Sequence, residues 1–158
     1  MNRRDALFAL GALAAWPSEA ATASLPPAKD LRADGERARI ARVPIVVLFS
    51  LPGCPFCEQV RRSHLVPITR DPARAARAII RQVDVNSSAA AVGFRGESTT
   101  HARIADEHGV KMAPVVQFWS ARGEALTEPL VGMLLPDFYE AYLEAALESA
   151  SKAILARS

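Results

Sequence analysis

Cysteine is scarce. The 158 residues hold two, Cys54 and Cys57, three positions apart. A disulfide framework needs more cysteines, spread along the chain. A complete zinc or iron–sulfur centre needs about four ligands. The pair must therefore work alone or with groups from elsewhere. Charge of one sign is also lacking. The formal net charge is only +2, and no basic face with interleaved aromatics is visible, which argues against a nucleic-acid partner. No segment after the first twenty residues is apolar enough to span a bilayer. No internal repeat is visible. What remains is ordinary globular composition, 50% hydrophobic and 23% charged, with enough chain for one domain and a real core.

The first residues read as an address rather than a fold. Arg3 and Arg4 are followed by an apolar run from Ala6 to Trp16 and then by Ala21-Thr22-Ala23. Charged, apolar and A-x-A segments in that order make a secretory signal, with cleavage expected after Ala23. The apolar run is too short for a membrane-spanning helix. The adjacent arginines raise the twin-arginine route beside the general one. The division is residues 1–23 as signal and 24–158 as the domain, whose mature form is expected in the periplasm and not membrane-spanning.

Leu25-Pro26-Pro27 reads as a stiff linker. A helix is expected over Ala28 to Arg42, weakened by Gly35. Ile45 to Phe49 is a continuous apolar run, rich in β-branched residues, which suits a strand buried on both faces. A turn through Pro52-Gly53 leads into Cys54-Pro55-Phe56-Cys57 and a helix to about Val66, which Pro67 ends or kinks. Ala73 to Ala78 offers a further helical turn or two. Ile79 to Val85 alternates as a second strand. Asn86 to Gly96 reads as a loop, and Thr100 to Glu107 as a helix. Val115 to Trp119 is a third strand, Ala121 to Glu124 a hairpin turn, and Leu130-Val131 a fourth strand. A last helix opens at Leu135-Pro136-Asp137 and reaches about Ile154, with Phe138, Tyr142, Ala145 and Ala146 as its apolar positions. The order predicts an α/β fold, a mixed four- to five-stranded sheet with helices on both faces.

These residues resemble the thioredoxin superfamily from about Arg32 to Glu148. A buried strand runs into Pro52-Gly53-Cys54-Pro55-Phe56-Cys57. The stretch Gly109 to Val116 resembles the family's segment around its cis-proline. Gly132 follows the hairpin and precedes the final helix. The chain is most similar to exported bacterial thioredoxin-like proteins. Its dipeptide is Pro-Phe, where thioredoxin has Gly-Pro. The buried acid that thioredoxins carry six residues before the first cysteine is Leu48 here. The segment between Cys57 and Pro114 is longer than in thioredoxin, which places an insertion near Asn86 to Gly96.

Disulfide exchange needs a thiolate. A cysteine just ahead of a helix faces unpaired backbone N–H groups and the positive end of the helix dipole. If the helix starts at Pro55, Cys54 holds that place and is the attacking thiol, favoured as thiolate below the usual value of about 8.5. Cys57, one turn on, is the buried, resolving thiol. A static disulfide closing so short a loop would add little stability. Phe56 is expected to be exposed, as an apolar contact for partners or a mere filler. The resemblance implies a cis Pro114 facing the cysteines and an Ala113 backbone that pairs with a bound substrate strand.

Glu58 is expected to oppose the dipole slightly. Arg61 and Arg62 read as a solvated face, His64 as structural, and His101 and His108 as solvent-facing. Asp84 reads as a strand-end surface carboxylate, and Phe118 and Trp119 as core and hairpin cover.

The function implied is a thiol–disulfide oxidoreductase with protein thiol or disulfide substrates and a membrane-bound redox partner. It needs no cofactor beyond the Cys54–Cys57 disulfide and no metal, and works as a monomer. Reduction is favoured, since nothing looks like the large helical insertion of DsbA-type oxidants. The alternatives are a thiol oxidant of folding proteins, a Cu(I) metallochaperone using the two thiolates, and a redox-inactive interaction module.

Overall fold

The computed structural model describes residues 24–133 and 135–157. The expected signal segment lies outside them.

Strand β1 (Ile45–Ser50) is buried at every position. Its side chains alternate between two cores, which explains why both faces are apolar. Val46 and Leu48 join one core, while Ile45, Val47 and Phe49 join the other. β1 is central in a four-stranded sheet of order β2-β1-β5-β6. It pairs in parallel with β2 (Ile79–Asp84) and antiparallel with β5 (Val115–Trp119), which pairs antiparallel with β6 (Leu130–Val131). The parallel step is made by a helical crossover, as the mixed sheet requires.

Helix α1 (Leu31–Ala41) starts at the N-cap Asp30, whose carboxylate accepts from Ala33 N–H. Gly35 does more than weaken it. A Cβ there would lie 2.3 Å from the Ala121 carbonyl oxygen, so α1 approaches the β5 hairpin through its glycine. The crossover begins with α2 (Pro55–Gln59), widens into a π-helical turn over Val60–Leu65, and ends as α3 (Val66–Arg70). Pro67 does not end this helix. The Val66 N–H reaches back five residues to the Arg61 carbonyl. The wider turn gives the proline ring room where an α-helical turn would clash. A short α4 (Pro72–Ala75) follows, capped by Asp71.

Three expectations need correction. The stretch 86–96 is not all loop: β3 (Ala90–Val92) pairs antiparallel with β4 (Ser98–Thr100) in a separate hairpin. Period reading fails on strands of three residues. Pro26 and Pro27 are docked rather than a free linker. The Gln82 N–H donates to the Pro26 carbonyl and the Ala28 N–H to the Gln82 carbonyl, both at 2.9 Å, along the outer edge of β2. The last helix, α6 (Tyr139–Ala156), follows a 3-10 turn at Pro136–Phe138. It buries Tyr139, Leu143, Leu147 and Ala150, while Phe138 and Tyr142 are exposed. Of the four predicted apolar positions only Ala146 packs partly on the core, and the stripe is otherwise shifted by one residue, because the bulkier aliphatics Leu143 and Leu147 are the ones buried.

Helix α5 (His101–Glu107) packs on the β2 side, capped by the Thr100 hydroxyl. Among the described residues no helix is long and apolar enough to cross a membrane.

Candidate functional site

The site forms where β1 ends. After Ser50 the chain turns through Gly53, whose φ of +73° lies in the left-handed region that glycine adopts freely. Cys54 is then the N-cap of α2, in extended conformation, with Pro55 in the first helical turn. Its Sγ accepts from the backbone N–H of Cys57 at 3.1 Å. A sulfur fills the role that a serine or aspartate oxygen plays at other helix starts. The Cα atoms of Cys54 and Cys57 are 5.3 Å apart and the sulfurs are joined in a disulfide. Cys57 is fully buried and Cys54 half-buried.

The other residues singled out in the sequence divide into two groups. Phe56 lies between the cysteines and is 57% exposed. The Ala113–Pro114 bond is cis, and Pro114 immediately precedes β5. Val115 pairs with Phe49, so Pro114 and the Cys54 turn lie at the same end of the sheet. The Pro114 carbonyl accepts from Gly132 N–H at 2.8 Å. The Ala113 backbone has no hydrogen-bond partner among the described residues. Exposed Met112 stands beside it, an apolar residue that sequence reasoning passed over. Leu48 is fully buried in the apolar core.

His64 is structural. Its Nδ1 lies 2.8 Å from a Glu140 carboxylate oxygen and its ring rests on Tyr139, with centroids 4.7 Å apart. His101 is not solvent-facing but 3% exposed: its Nδ1 accepts from Asp84 N–H, and Nε2 lies 3.2 Å from the Ala28 carbonyl. His108 stacks on Trp119 with centroids 3.9 Å apart. Burial holds its imidazole below the usual value, with Glu107 opposing weakly. His101 opens α5 and His108 caps its end, each turned toward a strand, Asp84 of β2 and Trp119 of β5, which so short a helix hides from period reading.

A polar cavity of about 410 Å³ opens beside Cys54, lined among others by Ser50, Glu58, Arg61, Gln82 and Asp84. Arg61 is no solvated residue. Nε donates to Gln82 Oε1 at 2.9 Å and a terminal nitrogen to Ser50 Oγ at 3.1 Å, and the guanidinium pairs with Glu58. Arg62 pairs with Glu58 from the solvent side. Glu58 is therefore compensated twice, and the expected opposition to the Cys54 thiolate is offset. The link of Arg61 to Gln82 and Ser50 escaped sequence reasoning because it joins three separated elements. Among the described residues no three His, Cys, Asp or Glu side chains gather in a metal-binding group.

A family model described as a thioredoxin-like domain matches residues 31–147. Solved structures share the fold at low identity. A thioredoxin from Malassezia sympodialis is 19% identical, covering 81% of this chain and 96% of that one, with a TM-score of 0.50. A thioredoxin-fold protein from Helicobacter pylori is 15% identical, covering 74% and 87%, with a TM-score of 0.51. Mitochondrial thioredoxin 3 from Saccharomyces cerevisiae, in its oxidised form, is 16% identical, covering 78% and 93%, with a TM-score of 0.50. No curated protein matches the chain.

Proposed function

The chain belongs to the thioredoxin-like family, and we propose that this thiol–disulfide oxidoreductase is exported and reduces protein disulfides in the periplasm. The observation that carries the reading is the Cys54–Cys57 disulfide at the N-terminus of α2, directly after the buried central strand. In the reduced protein Cys54 loses its proton to become the thiolate, favoured by the backbone N–H of Cys57 and the helix dipole. It attacks one sulfur of a substrate disulfide, and the other leaves as a thiolate that takes up a proton. Cys57 then gives up its proton, attacks Cys54 and releases the second substrate thiol. Two electrons pass from the dithiol to the substrate. A membrane-bound donor returns the protein to the dithiol.

Three features support the finer points. Arg3, Arg4, the apolar run to Trp16 and Ala21-Thr22-Ala23 support export. The segment between the cysteines and Pro114 adds a small hairpin rather than a helical domain, which favours reduction over oxidation. The unpaired Ala113 backbone and exposed Phe56 and Met112 suit an extended substrate segment laid across the site.

The test is trapping. Cys57→Ser should accumulate a mixed disulfide with a peptide substrate, read by mass spectrometry, and Cys54→Ser should form none. Equal trapping through Cys57 in the Cys54→Ser protein would overturn the assignment.

A further inference from the structure

We propose that Asp84 sets the substrate preference of Cys54, favouring disulfides that carry a cationic residue beside the reacting sulfur. The inference rests on the oxidoreductase reading above and names the substrate class of that same site.

The cavity is lined by Cys54 itself, so a residue flanking the cysteine that Cys54 attacks comes within its reach. Its volume of about 410 Å³ accommodates a long side chain. Its lining carries two carboxylates, Glu58 and Asp84, and one guanidinium, Arg61. Arg61 has both sides of its fork engaged, by Gln82, Ser50 and Glu58. Glu58 is matched by Arg61 and again by Arg62. Asp84 alone of the lining carboxylates has no cation on it among the described residues. It accepts one hydrogen bond, from Gln82 Nε2 at 2.7 Å.

Asp84 is also held in place. It pairs with Ser50 at the end of the β1–β2 ladder, and the Val85 N–H donates to the Ser50 carbonyl at 3.0 Å. Its own N–H donates to Nδ1 of the buried His101, 3.2 Å away. With that nitrogen accepting, Nε2 carries the proton and donates to the Ala28 carbonyl. A fixed, unmatched carboxylate in a partly enclosed polar cavity attracts an ammonium or guanidinium and repels a carboxylate. Arg61 shares Glu58 with Arg62, which lies outside the lining, so within the cavity one negative charge, that of Asp84, stays in excess.

The chemistry is the exchange already described. The Cys54–Cys57 dithiol is oxidised to the disulfide, the peptide disulfide is reduced to two thiols, and Asp84 takes no part in bond making. It is a specificity-determining residue.

The experiment uses the full protein, reduced with dithiothreitol and desalted, against three peptide disulfides that differ only in the residue after the cysteine: lysine, glutamine or glutamate. Each rate is divided by that of dithiothreitol with the same peptide, which removes intrinsic differences in leaving group. At low salt the lysine peptide should react about five-fold faster than the glutamate peptide, with glutamine between, and about 0.5 M sodium chloride should shrink the spread. Asp84→Asn should collapse the order and Asp84→Glu should keep it. If Asp84→Asn does not fold, Asp84→Ser takes its place with the same expected collapse. A flat or reversed order, a salt-independent spread, or a spread that survives Asp84→Asn overturns the inference alone. Failure to reduce any of the three peptides overturns the oxidoreductase reading and the inference with it.

Discussion

The backbone N–H of Cys57 donates to the Sγ of Cys54 across 3.1 Å, so one cysteine caps the helix that carries the other. The two sulfurs are close in space but unlike in surroundings. Cys54 meets the helix start and the polar cavity, and Cys57 is fully buried.

That difference is measurable. When the reduced protein is treated briefly with iodoacetamide at about pH 6.5, where a free cysteine with its usual value near 8.5 is almost all thiol, Cys54 should be alkylated and Cys57 spared. Peptide mapping reads the outcome. Equal labelling of both, or labelling of Cys57 first, would remove the basis for treating Cys54 as the nucleophile.

Gly35→Ala tests the packing of α1 on the β5 hairpin. On helix propensity alone the change should stabilise by about 1 kcal/mol. The new Cβ would, however, lie 2.3 Å from a backbone oxygen, that of Ala121, which cannot swing away as a side chain can. Overpacking costs of about 1–3 kcal/mol outweigh the propensity gain. The urea midpoint should therefore fall. A rise would mean the hairpin yields without cost.

The stacked His108 predicts a pH dependence of stability. Burial against Trp119 depresses its folded value below the usual 6.5. The unfolded chain then binds more protons than the folded one just below pH 6.5. Stability on this account is full above about pH 6.5 and falls as pH drops through that value toward the lower folded one. His108→Phe keeps the stacking without the titration. It should flatten the change in Tm between pH 7.5 and pH 5.5, and an undiminished change would assign the effect elsewhere.

Much of this fold is legible in the sequence because its central elements are unambiguous. Ile45 to Phe49 reads as a doubly buried strand, and it is one, with successive residues feeding opposite cores. The CxxC follows that strand and precedes a helix, so the cysteine pair is legible from local order alone. The failures have local causes too. The 90–100 hairpin consists of strands too short to carry a period. Pro67 looks like a helix end, but a π-helical turn absorbs it. His101 and Arg61 look like surface residues on their own elements. Each is buried or bound by partners far away in sequence: Ala28 and Asp84 for His101, Gln82 and Ser50 for Arg61. Such contacts depend on how elements assemble, and no local pattern encodes them.

The most direct test of a reducing Cys54–Cys57 couple is its redox midpoint. The protein is equilibrated in glutathione buffers of graded potential, and the fraction carrying the intramolecular disulfide is read by thiol labelling and mass. A midpoint near the thioredoxin value of about −270 mV is expected of a reductase. A midpoint near the DsbA value of about −120 mV, or no intramolecular disulfide at any potential, would contradict it.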